Sequence, residues 1–447
     1  MPKKKTALTI EERLQQALVP AEEQPYEVPE NWVWVRLGAV CYASKEKSND
    51  FSNEIKYIGL EHLEKDKGIV GFSSADKVKS TKNAFQEGQI LYGRLRPYLN
   101  KHDIASFSGV CSTDILVFEA SVLVANVLVD KFFNLPFFIE YVVANSKGIN
   151  LPRVSEKTIL NTTFPLPPLS EQQRIVERIE ELFAKLDEAK ERLQEVADSF
   201  AVRKAAILHK AFTGELTKQW RRENGVSDES WEEKKLEEVC SKITDGTHNS
   251  PTNSLSGEYM YVTAKNIKDT GIDLSNITYV TKEVHKEIYS RCDVIYGDVL
   301  YIKDGATAGI ATINTLEEEF SMLSSVALIR TDLKLAKNEF VKDYLNYRKK
   351  EILKNISGSA ITRLTLSKIK DILVPLPSLP EQHEIVRLID DLLARERAAQ
   401  QATEQALASI DLMKKSILAR AFRGELGTNK ASEASALELL RQVLAEN

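Results

Sequence analysis

The sequence predicts an α+β protein made twice over: two α+β domains separated by two long antiparallel coiled-coil helices, related by a pseudo-two-fold internal repeat. Three observations predict it. Residues 165–216 and 375–426 align without a gap, with about 21 of 52 positions identical. Both copies carry apolar residues at steps of three and four, the spacing of a coiled-coil seam. The stretches between them hold short β-type runs split by Gly, Asn, Asp and Ser clusters.

The elements follow in order. Residues 1–30 form an N-terminal segment with a short helix, because Thr9 and Glu12 make a capping box before LQQALV. The first variable domain, 31–164, reads as strands at WVWVRL and DILVF. The central helical spacer, 165–219, starts where PLP breaks the preceding structure, and Ser170 with Gln173 makes a second capping box. Its seam runs Ile175, Ile179, Leu182, Leu186, Ala189, Leu193, Val196, Phe200 and Ile207, broken at Arg203. The second variable domain, 220–374, echoes the first: Trp32 to Cys41 matches Trp231 to Cys240, Tyr57 matches Tyr261, and GQILY matches GDVLY. Its strand runs are YMYVT, DVLYI and VALIR. The second spacer, 375–427, has Pro380 where the first has Ser170, tolerable at a helix N-terminus. Its seam runs Ile385, Ile389, Leu392, Ala399, Ala406, Ile410, Met413 and Ile417, broken at Glu396 and Thr403. Residues 428–447 form an amphipathic helix with Leu437, Leu440, Val443 and Leu444 on one face.

Two consequences are expected. An unpaired charge in a seam is costly, so Arg203 should face Glu396 across the pair. That register sets Leu186 against Met413, Val196 against Thr403 and Phe200 against Ala399. The apolar stripes at the two chain ends need partners to cover them, such as the surface of another subunit.

Composition excludes several classes. The chain has 447 residues, is 43% hydrophobic and 28% charged, and balances 60 Lys and Arg against 65 Asp and Glu for a net −5. It is no polycation, so a nucleic acid would have to be held by local basic loops. No run approaches a membrane span, and the basic start lacks the apolar core of a secretory signal. Four cysteines lie tens of residues apart without a CxxC pair, which fits a reducing cytoplasm and no zinc site. The six histidines lack metal-ligand spacing. There is no GxxxxGK[ST], HExxH or GxGxxG, and GATAG at Gly305 to Gly309 lacks the lysine of a phosphate loop. Nothing nominates a nucleophile with its base, so the chain reads as a binding protein.

The frame PLPPLSEQQRIV with AFTGEL, repeated as PLPSLPEQHEIV with AFRGEL, resembles the specificity subunit of type I restriction-modification enzymes. So do TDGTHNSP, YVTAKNIKDTGI, YIKDGATAG, YIGLEHL, GRLRPYLNK and GVCSTDILVF, loops similar to those of the family's target-recognition domains. The resemblance covers the whole chain. It implies that 31–164 and 220–374 are target-recognition domains, each binding one half of a bipartite, asymmetric site on double-stranded DNA. It implies that the helices set the spacing and dock two modification subunits, with restriction subunits added. The chemistry would belong to those partners, which bring S-adenosylmethionine, ATP and Mg for adenine methylation and DNA cleavage. No cofactor and no metal is expected in this chain, which also lacks an [ND]PP[YF] tetrapeptide. A rival reading from another class is a coiled-coil adaptor joining two protein-binding domains.

The resemblance directs the search for DNA contacts to basic and polar loops. In the first domain these are Arg94, Arg96, Tyr98 and Lys101 of GRLRPYLNK, then Lys45 and Lys47 of SKEKSND. Arginine suits bidentate reading of guanine and lysine suits phosphate. In the second domain they are Lys242, Thr244, Asp245, Thr247 and His248, with Lys265, Asn266, Lys303, Asp304 and Thr307. Arg153 and Arg363 hold equivalent positions before each spacer, followed by Lys157 and Lys368, and are candidates for a shared phosphate contact.

Overall fold

The computed structural model describes residues 9–49, 51–354 and 364–446. They divide into two compact units, Met1–Leu193 with Gln405–Asn447, and Gln194–Glu404. Each unit contains one variable domain and part of each long helix.

The two variable domains repeat one plan. Each is opened by a strand that pairs antiparallel with the strand just before a long helix: Val33–Arg36 with Thr163–Leu166, and Glu232–Lys235 with Leu373–Leu376. Trp34 lies opposite Pro165, and Glu233 opposite Pro375. The PLP motif therefore ends each domain as an edge strand, where a missing backbone N–H breaks no ladder. In the first domain an antiparallel sheet runs in the order His102–Ile104, Ile90–Gly93, Ile115–Ala120, Cys41–Ala43. In the second domain the same sheet is built from Ala311–Ile313, Val299–Ile302, Val326–Thr331 and Cys240–Asp245. A second sheet in each domain contains one parallel pair, Lys56–Ile58 with Gly109–Cys111 and Tyr259–Val262 with Ser321–Met322. Every β-type run singled out in the sequence is a strand.

Helices Leu169–Phe212 and Leu379–Ala421 span 44 and 43 residues. At ~1.5 Å per residue each is ~65 Å long. In the first unit Lys190 pairs with Asp411 and Lys414 with Asp187, so the helices run antiparallel. In the second unit the two charges that break the seam meet: Arg203 Nε donates to Glu396 Oε2 at 2.9 Å. The middle of the seam differs from the heptad reading. Val196 is 40% exposed and Met413 51%, and Ala399 is exposed, whereas Thr403 is buried with its hydroxyl donating to Ala399 O at 2.8 Å. Two helices alone cover only a narrow strip, and a straight α-helix drifts off a strict seven-residue repeat.

The first long helix begins at Leu169, so Ser170 lies inside its first turn and forms no capping box with Gln173. The Gln173 amide instead donates to Glu177 Oε1 at 3.0 Å. The adjoining EQ pair has the structural task. Glu171 is fully buried and accepts from Trp32 Nε1 at 2.7 Å, Asn429 Nδ2 at 2.8 Å and Thr428 Oγ1 at 2.9 Å. Its counterpart Glu381 accepts from Thr217 Oγ1 and Arg221 Nη1, both at 2.7 Å. Gln172 Nε2 donates to Pro167 O and Leu123 O, and Gln382 Nε2 donates to Pro377 O and Leu335 O. In each unit, then, the segment that leaves the end of one long helix is tied to the start of the other.

The chain ends find each other rather than an outside partner. Thr9 caps helix Ile10–Ala17 in the expected box with Glu12. This helix packs against Ala436–Glu446, with Arg13 Nη1 donating to Leu444 O at 3.1 Å. Leu14, Leu439, Leu440 and Val443 join the core of the first unit with Phe132, Phe164 and Phe422. The two apolar stripes are each other's cover, which corrects the expectation that they await a subunit.

Candidate nucleic-acid interface

The GRLRPYLNK segment of the first domain is a rigid corner. It leaves the core strand Ile90–Gly93, turns through Arg96 and Asn100 at φ 53° and 43°, and returns as His102–Ile104. Left-handed backbone at non-glycine residues is strained, and such strain gathers at functional sites. Pro97 is buried while Arg96 and Tyr98 are exposed. Arg94 is half-buried, and Lys101 Nζ donates to Leu60 O at 2.9 Å. Arg153 lies against this corner: its Nε and Nη2 donate to the two oxygens of Asp114 at 2.9 and 3.1 Å. Those hydrogen bonds hold the Asp114 carboxyl below the usual carboxylate range, with the Arg94 charge adding to the effect. Lys45 pairs with Glu156, and Lys47 donates to Asn83 Oδ1. Lys157 is exposed.

Arg94 and Lys303 occupy the same place in two diverged domains. The Arg94 N–H donates to Asp114 O at 2.9 Å and the Val154 N–H donates to Arg94 O at 3.0 Å. The Lys303 N–H donates to Ser325 O at 2.9 Å and the Leu364 N–H donates to Lys303 O at 2.8 Å. The side chains have parted company. Lys303 is only 3% exposed and its Nζ lies 3.0 Å from Asp245 Oδ2, itself in a carboxylate that is almost wholly buried. Asp245 also takes Arg291 Nη2 at 3.0 Å and lies 3.4 Å from His248 Nε2.

Several candidates of the second domain are therefore occupied inside it. Asp245 and Lys303 form a buried ion pair, and Asp304 lies beside them, 3.9 Å from Lys303 Nζ. Asn266 is buried, accepting from the Thr263 N–H at 3.0 Å and donating to Asp273 O at 3.1 Å. Lys242 pairs with Asp293 at 2.5 Å, and Thr244 is half-buried on its strand. The Thr247 hydroxyl donates to Asn249 O at 3.0 Å, closing its own turn. His248, Lys265, Thr307 and Lys368 are exposed. Arg363 lies outside the described residues.

The structure adds groups that loop reading missed. Arg291 ends helix Lys282–Arg291, is about half exposed, and its guanidinium also donates to Gly246 O beside His248. Nothing marks it in the sequence, because Asp245 lies far away along the chain. A concave surface of about 740 Å³ opens nearby, lined by Ser250, Asn253, Lys265, Lys268, Asn276 and Thr278. The loop YVTAKNIKDTGI, singled out in the sequence together with Lys265 and Asn266, supplies part of this lining. Paired amide and ammonium donors on a concave face suit both base edges and phosphates. Among the described residues, no His/Cys/Asp/Glu cluster could hold a metal, and no helix is long and apolar enough to cross a membrane.

A sequence profile of the type I restriction modification DNA specificity domain matches the chain twice, over residues 29–198 and 228–407. The chain belongs to this family. Each match takes in one variable domain of the specificity protein and the first part of the long helix behind it. The type I restriction enzyme EcoBI specificity subunit of Escherichia coli is 28% identical over 334 residues, 70% of each chain. The EcoDI specificity subunit of Escherichia coli is 36% identical over 210 residues, 44% of this chain and 45% of the relative. Solved structures share the fold. The HsdS subunit from Thermoanaerobacter tengcongensis superposes with a TM-score of 0.65 at 22% identity, over 90% of this specificity protein and 99% of that chain. A chain from work on complex assembly and conformational transition of the type I R-M system gives 0.70 at 23% identity, over 90% and 100%.

Proposed function

We propose that this protein is the DNA-reading subunit of a type I restriction-modification complex, each variable domain recognising one half of a bipartite site. The observation that carries the reading is the doubled plan: one sheet architecture on two equivalent helix starts, with Arg94 and Lys303 at one place in domains whose surfaces otherwise diverge. A shared frame with different surfaces is what two independent half-sites require. The long helices hold the halves at a set distance and dock two modification subunits, and restriction subunits complete the assembly. Methyl transfer, with S-adenosylmethionine, and cleavage, with ATP and Mg, belong to those partners, and this chain is a non-catalytic subunit in the cytoplasm. In the first domain the contacts are Arg94, Arg96, Tyr98, Lys101 and Lys157. In the second they are His248, Arg291, Lys265, Lys268 and Thr307, while Asp245, Lys303 and Asn266 position them. Methylation mapping in a host that expresses the chain with its modification subunits tests this. A bipartite adenine motif with a fixed spacer is expected. Methylation absent, or confined to one undivided motif, would overturn it.

A further inference from the structure

Residues 147–153 form a loop with a pinned base and an apolar tip. The Lys147 N–H donates to Arg153 O at 2.9 Å and the Arg153 N–H returns to Lys147 O at 2.8 Å. Arg153 is fixed again by its two bonds to Asp114, and the Arg96 N–H donates to Pro152 O at 2.7 Å. Gly148 turns the tip at φ +107°, where an added Cβ would lie 3.0 Å from Leu151 O. On this braced tip Ile149 is 99% exposed and Leu151 47%. Single exposed apolar side chains are common on protein surfaces and need no explanation. Here the base of the loop is closed, so the tip stands clear of the domain instead of folding over it. Burying one isoleucine side chain is worth on the order of a tenfold change in affinity, so such a tip gains by finding an apolar host.

The surroundings decide what that host is. Lys147, Arg96 and Lys157 are exposed on or beside the loop. Two acids of this region are engaged, Asp114 by Arg153 and Glu156 by Lys45. A cationic collar around an apolar point fits a polyanion with a stacked apolar interior, and aliphatic side chains are known to enter minor grooves and part base steps. We propose that the tip is a wedge: the cations bind phosphates of the first half-site while Ile149 and Leu151 enter the minor groove and unstack one base step. This rests on the DNA-reading function above and adds deformation to it.

The test uses the complex with its modification subunits and duplexes carrying the mapped bipartite site. 2-Aminopurine is placed in turn at each position of the first half-site. Wild-type complex should raise its fluorescence at one step. Ile149→Ala with Leu151→Ala, both solvent-facing and harmless to the fold, should abolish that rise and weaken binding on the order of tenfold. The second half-site should respond as in wild type. Unchanged fluorescence and affinity in the double variant would overturn the wedge. So would loss of modification subunits from the variant complex on size-exclusion chromatography, which would make the tip a protein contact. Failure of the wild-type complex to yield any bipartite motif would remove the function beneath it, a separate and distinguishable result.

Discussion

Asp114 joins two arginines of different duty, Arg153 by direct hydrogen bonds and Arg94 through charge. Its folded-state pKa is lowered, so its contribution is present above the ordinary carboxylate value of about 3.9 and is lost as pH falls through the lowered one. The protection of the Lys147 and Arg153 amides against hydrogen exchange, taken relative to the intrinsic rate at each pH, should therefore fall on acidification below about pH 4, and Asp114→Asn should lower it in the same way at neutral pH. Because Arg153 is 40% exposed, the global effect should stay under ~1 kcal/mol. Glu381 is the opposite case. Removing it leaves the buried Arg221 guanidinium with only a solvent-facing acid, Asp228, so Glu381→Ala should cost about 3 kcal/mol, read by denaturant unfolding. Neither glutamate of the EQ pairs was singled out in the sequence. A capping box is a local pattern, whereas Glu171 answers to Trp32 and Thr428, which only the folded chain brings near.

At the scale of elements, local periodicity carried most of the information. The long helices, the strand runs and the chain-end helices are all set by patterns within a few residues, and each was legible. What pairs with what was less so. The terminal helix needed a cover, and the sequence offered no means of choosing between a partner and Ile10–Ala17. Since Leu439, Leu440 and Val443 are buried in the first unit's core, deleting 436–446 should cost roughly 5 kcal/mol or more and lower the thermal midpoint of the isolated chain. An unchanged midpoint would return the helix to the role of a subunit contact. The Arg203–Glu396 pair is partly exposed, so its double-mutant coupling should be about 0.5–1 kcal/mol and shrink with added salt.

For the molecule as a whole, the doubled plan predicts modular behaviour. Exchanging residues 31–164 for another domain of the same family should change one half of the methylated motif and leave the other half and the spacer untouched. With a net charge of −5, the chain alone should bind DNA weakly and with a steep loss in salt, gaining affinity and specificity only with its modification subunits. The candidate site was half legible at this scale. Loop motifs singled out polar segments in both domains, but they did not separate Lys303, buried on Asp245, from its exposed counterparts. Sequence shows which charges a loop carries, and only the packing beneath it shows which are already neutralised.

The two units also differ in when they can be finished. Everything the second unit needs, residues 194–404, is one unbroken stretch of chain, complete as soon as Glu404 clears the ribosome exit. The first unit borrows Leu418, Phe422 and helix Ala436–Glu446 for its core and cannot close until those residues have been made. The domain synthesised second is thus the first able to fold, and the one made first must wait with its apolar face open. Nascent chains arrested at residue 447, with helix Ala436–Glu446 still inside the exit tunnel, should show a protease-resistant second unit and a digestible first, the reverse of the usual vectorial order.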